Sequence, residues 1–230
     1  MTVADTCAKE EDTRLRQEMP IKAEDWNVTI VGFWNRAIYT PAGISRHLFQ
    51  LPANTPVQVL IPIDLPAPYQ VQHDGLTVTV GSDRLVVQPA QASFPRLGAA
   101  MEIGRRAFEH LPRTPFVAAG FNVRYKSDGP VAVLEEITTS AWDENLSDQR
   151  LEIRERTIAR AVQRGHGRIN IAVTQKEDRT FMLALNFDLQ SDDVQRLRDW
   201  ITISEADLRC EVERIVYETL RVRREEVAHG

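Results

Sequence analysis

Apolar and polar positions alternate with a period of two over several short stretches of this chain, and with a helical period over two longer ones. Leu76, Val78 and Val80 fall on one side of a strand and Thr77 and Thr79 on the other. With Asp74-Gly75 and Gly81-Ser82-Asp83 as tight turns, residues 69–72, 76–80 and 84–88 read as a β-meander. Trp26–Trp34, Val57–Ile63, Phe116–Lys126, Val131–Ile137, Ile169–Thr174 and Phe181–Leu189 are further runs of strand length and composition. Leu65-Pro66-Ala67-Pro68 lacks two amide donors and cannot sit in a central ladder.

The spacing predicts a helix over Phe94–Leu111, where Leu97, Ala100, Met101, Gly104, Ala107 and Phe108 share a face and Pro112 stops the run. A second helix is predicted over Ser204–Val222, with Ser204 and Asp207 approximating a capping box ahead of an apolar stripe. Ala42–Leu48 is read as one or two helical turns, and Asp192-Asp193 as the first turn of a short helix running toward Trp200. Residues 149–164 have the composition of a helix. The turn Gly165-His166-Gly167 favours a hairpin instead, with this segment as a strand against Ile169–Thr174.

Strands come in runs rather than alternating with helices. The expected class is therefore α+β, a single domain with a mostly antiparallel sheet of about eight or nine strands, a central helix near 94–111 and a C-terminal helix near 204–222. Residues 1–22 are charged and poor in apolar side chains and read as a mobile tail; 23–222 form the domain; 223–230 are expected to fray. Gly32-Phe33-Trp34-Asn35, Gly120-Phe121-Asn122 and Leu185-Asn186-Phe187 resemble one another. They reflect either an internal duplication with two half-sheets or coincidence among common strand residues. Gly32 and Gly120, set among bulky neighbours, suggest a bulge or a close backbone approach.

Composition narrows the function. The chain has 28 Lys+Arg against 33 Asp+Glu, so its net charge of -5 argues against a general nucleic-acid coat. The first 20 residues hold no apolar signal core, and no apolar run reaches membrane-spanning length. Two cysteines, Cys7 and Cys210, fit a reducing compartment, so a cytoplasmic protein without a membrane is expected. Neither cysteine reads as a nucleophile, and Cys210 is expected as a small packed residue. Phosphate-cradling glycine loops, Cys-x-x-Cys, His-x-x-x-His and a Gly-x-Ser-x-Gly elbow are absent; no cofactor, metal site or catalytic set is expected.

Arginine supplies 24 of the 28 basic residues, a skew that reads as a GC-rich bacterial genome or as selection for a bidentate fork. Arg150, Arg154, Arg156, Arg160, Arg164 and Arg168 all lie at even positions, so either a strand or a helix would gather guanidinium groups on one surface. Tyr69 and Trp142, read in loops, are the candidate interface aromatics. The leading expectation is a non-enzymatic binding or assembly protein with a protein partner or a second copy. Its alternatives are a nucleic-acid-binding component using the arginine stripe, and an enzyme built from scattered groups such as Glu135, Asp143 and His166.

Overall fold

A computed structural model describes residues 21–35, 38–63, 68–111 and 114–223. The expected tail over residues 1–20, the Pro-rich link at 65–67, Cys7 and the C-terminal residues 224–230 lie outside the described residues.

Ten strands form one antiparallel sheet: β1 (Ile21–Ala23), β2 (Asn27–Gly32), β3 (Gln58–Leu60), β4 (Gln70–His73), β5 (Leu76–Val80), β6 (Arg84–Pro89), β7 (Phe116–Ser127), β8 (Glu155–Arg164), β9 (Gly167–Lys176) and β10 (Phe181–Gln190). Nine of them run in the order β3-β4-β5-β6-β2-β7-β10-β9-β8, and β1 pairs with β7 beyond the end of β2. Ile21 and Lys22, assigned to the tail from sequence, therefore pair with Ser127 and Lys126. The helices are α1 (Pro41–Gly43, continued by a π turn at Ile44–Leu48), α2 (Phe94–His110), α3 (Ala132–Thr138), α4 (Ala141–Asp148), α5 (Val194–Trp200) and α6 (Glu205–Glu213, continued by a π turn at Arg214–Thr219). The protein is thus a mixed α+β single domain, as the patterning implied. Among the described residues, no helix is long and apolar enough to cross a membrane.

The alternation along each strand sends one set of side chains toward the helices. Val28 and Ile30, Val78, Leu85 and Val87, Phe121 and Val123, Val173, and Leu183, Leu185 and Phe187 are all buried there. The predicted stripe on α2 covers them with Leu97, Ala100, Met101, Ala107 and Phe108. Trp26 packs edge-on to Phe94 and Tyr125 at 4.9 and 5.8 Å, and its indole N–H donates to the Arg124 carbonyl at 2.8 Å.

The chain follows the same path twice. A strand, a helical excursion, a meander and a returning helix occur as β2, α1, β3-β4-β5-β6 and α2, then as β7, α3-α4, β8-β9-β10 and α5-α6, the first meander having one more strand, the short β3, at its edge. In each half the last meander strand lies beside the first strand, and β2 and β7 meet antiparallel at the centre. Both flagged glycines sit at constraints. The β2–β7 register shifts at Gly32, and a Cβ on Gly120 would lie 2.2 Å from the Phe187 carbonyl oxygen.

Three expectations are corrected. Val131–Ile137 is not a strand but largely α3: Leu134 and Thr138, four apart, are the buried side of one turn, and this spacing outweighs the β-branched composition. Trp142 is not in a loop but in the first turn of α4, where it is 76% exposed. Cys210 is exposed on α6 rather than packed. Residues 155–164 do form the hairpin strand, Asp193 caps α5 and Ser204 caps α6.

Candidate functional site

The arginine stripe is divided by the tertiary structure. Arg156, Arg160 and Arg164 share the helix-side face of β8, an edge strand of the sheet. Arg168 follows the hairpin turn and points to the opposite face, while Arg150 and Arg154 precede β8. Most of these groups are engaged by the protein's own acids. Arg154 bonds Glu152 and Glu177, Arg156 bonds Asp143 on α4, and Arg164 bonds Glu211 on α6. Arg168 bonds Asp188 on β10 at 3.0 Å. Arg164 also lies over the Trp200 ring, 4.7 Å from its centroid. Among the described residues, Arg150 and Arg160 have no acidic partner; Arg160 donates to the Ala159 carbonyl at 2.8 Å. Two arginines of the stripe thus act as struts between an edge strand and the helices that back it.

Burial disfavours the charged form of Asp143, but the hydrogen bonds and charge of Arg156, with a contribution from Ser140, hold its carboxyl below the usual range. A depressed folded-state value means that the contact stabilises the protein above about pH 4 and is lost as pH falls through the folded-state value. Asp143→Asn is expected to make stability less dependent on pH below about pH 4, as read from urea midpoints across an acid series. An unchanged dependence would show that the pair contributes nothing.

The groups considered for catalysis do not converge. Glu135 lies on α3 and receives two bonds from Arg179 at 2.7 and 2.8 Å. Asp143 meets β8 at Arg156 whereas His166 lies in the turn beyond Arg164, so the two are separated by most of a ten-residue strand, about 30 Å. Among the described residues, no group of three or more His, Cys, Asp or Glu is placed to hold a metal. A cleft of about 530 Å³ lies beside the hairpin turn, lined by Arg164, His166, Arg196, Asp199, Trp200 and Asp207, with both charge signs present.

Of the two candidate aromatics, Tyr69 is half-buried against the core and donates from its hydroxyl to the Tyr39 carbonyl. Trp142 projects from the surface.

The feature that sequence reasoning missed is on the other face of the sheet. Asn27, Asn122, Asn186 and Asn170 are mutual register partners across β2, β7, β10 and β9. They form a head-to-tail ladder: Asn170 donates to Asn186 at 2.8 Å, Asn186 to Asn122 at 2.8 Å, and Asn122 to Asn27 at 2.9 Å. Four of the chain's seven asparagines occupy this one row. On the other side of Asn27 the row continues through Gln88, one step beyond the Val28–Val87 pair, then Thr77, Gln72 and Gln58. A depression of about 370 Å³ lies over Asn27, Gly120, Asn122 and Asn186, and another of about 450 Å³ lies over Gln72, Thr77 and Gln88. The available signal was asparagine inside strand-forming sequence, where its intrinsic preference is poor. Asn122 and Asn186 stood in two of the similar strand motifs; their partnership with Asn27 and Asn170 is long-range.

The fold and this row define an α+β protein with one helix-covered sheet face and one polar face that, among the described residues, is uncovered. No protein-family model matches the chain, and no curated protein matches its sequence.

Proposed function

We propose that this chain is a non-enzymatic binding or assembly protein of the cytoplasm that works through protein–protein contacts on the uncovered face of its sheet. The observation that carries the reading is the polar row itself. A long row of neutral side chains, carboxamides apart from Thr77, lies in register on a face that no helix among the described residues covers. Asparagine has a poor intrinsic preference for strands, and the apolar core lies on the other face of the sheet. The separation of Glu135, Asp143 and His166 supports a non-enzymatic role. The internal neutralisation of Arg154, Arg156, Arg164 and Arg168 favours a protein partner over a nucleic-acid backbone, which would require free cations.

A photo-crosslinking amino acid at Ala172, on this face beside Asn170, tests the reading in living cells. Adducts to protein are expected. Adducts to nucleic acid would replace this reading with the arginine-based one, and the absence of any adduct would remove its basis.

A further inference from the structure

The ladder has a chemical property that narrows the partner. Each inner asparagine, Asn122 and Asn186, spends one N–H and accepts one hydrogen bond from its neighbours. Each keeps a second N–H and a second acceptor position. The row therefore presents donors and acceptors in equal number and carries no charge. Two charged pairs nearby are cancelled in place, Arg168 with Asp188 and Arg84 with Asp83, while Lys126 and Asp25, which accepts from Gln88, form no ion pair among the described residues. Of the arginines on this face, only Arg124 has no acidic partner among the described residues.

The floor beside the row is made of small residues. Ala118 and Gly120 on β7, Ala184 on β10, Ala172 on β9, and Ala159 and Ala161 on β8 stand on the same face as the asparagines. Such a floor lets another flat surface approach closely. None of the strand residues on this face is aromatic, so it has no platform for stacked bases.

We propose that the uncovered face is the interface of a homodimer, with the carboxamide row of one copy laid against the same row of a second. This deepens the protein-binding reading and rests on it. A twofold interface must be self-complementary, since each patch meets its own image. A neutral row with matched donors and acceptors satisfies that condition, whereas a stripe of one charge would repel its image. The size is adequate. Nine strands about 4.8 Å apart, each of three to twelve residues, give a face on the order of 1,000 Å², at least the roughly 800 Å² that one partner contributes to a standard stable interface.

The test is sedimentation equilibrium of the purified full chain over a range of concentrations, with absorbance recorded at 260 and 280 nm. The expected mass is twice the 26.1 kDa of one chain, without nucleic acid. Ala172→Arg places a long cation on the floor. Asn27→Asp keeps the oxygen that accepts from Asn122 but puts a charge into the row. Each is expected to weaken dimerisation by about 100-fold or more. Cys210→Ser, on α6 and away from this face, is expected to leave it unchanged. Circular dichroism checks folding, and if Ala172→Arg fails to fold, Ala159→Arg at the exposed edge decides.

A single-chain mass at every concentration, or a dimer indifferent to these face variants, overturns the proposal. If the purified chain is monomeric but Ala172 crosslinks to a different protein in cells, the homodimer fails and the broader reading stands. If it is monomeric and forms no adduct, both fail. Bound nucleic acid removed by salt overturns both.

Discussion

Phe187→Ala is expected to lower stability by about 3–5 kcal/mol, the largest loss from any single substitution discussed for this protein. Phe187 lies on β10, near the middle of the sheet, and is fully buried. Its ring stacks on that of Phe121, its direct register partner on β7, with centroids 4.4 Å apart and planes 16° from parallel. Truncation removes the buried ring and the stacking contact together. It also leaves a cavity that the surrounding strands cannot close, because ladder hydrogen bonds fix their spacing. Phe33, which is 73% exposed, is the control; its alanine variant is expected within about 0.5 kcal/mol of the parent. Urea unfolding at neutral pH measures both. Similar midpoints for the two variants would mean that the β7–β10 pair is not where the core's cohesion resides.

Arg164→Ala is expected to cost about 3 kcal/mol, although the arginine itself is on an edge strand. Its guanidinium bonds Glu211, which is 9% exposed and whose second carboxylate oxygen has no partner among the described residues. Removing Arg164 leaves that carboxylate in the interior without its counter-charge and strips the guanidinium from the Trp200 ring. Glu211→Leu in the same chain is expected to restore most of the loss, because a buried pair replaced by apolar atoms costs far less than a pair broken on one side. Arg160→Ala, from the middle of the same row, is expected to be nearly neutral. Thermal unfolding of the three variants distinguishes a strut from a recognition stripe. Equal and small effects at Arg160 and Arg164 would mean that β8 is not fastened to α6 through this pair.

The same contrast explains what was legible in the sequence. Strand alternation identified the meander at residues 76–88 and the long strands from 116 and 181, because one buried face forces a period of two wherever the neighbours are. The α2 stripe and the Ser204 cap of α6 were legible for a similar reason: both are encoded within a few residues of chain, even though the stripe itself packs on distant strands. The turn Gly165-His166 decided in favour of a strand at 155–164 by local geometry. At α3, composition and spacing disagreed. The β-branched residues suggested a strand, but the burial of Leu134 and Thr138 on one side, with Glu135 reaching Arg179, favours a helix. At α4, the local signal was a serine three residues before an acid, Ser140 and Asp143.

By itself, then, the sequence determined the class of the fold, the identity of the apolar faces and the clustering of arginines at even positions. These are consequences of periodicities that a few neighbouring residues encode. Only the tertiary structure decided which acids neutralise which arginines, and that Asn27, Asn122, Asn170 and Asn186 form one row. Asn27 and Asn122 are 95 positions apart yet hydrogen-bond side by side, because register between distant strands is set by the packing of the whole sheet.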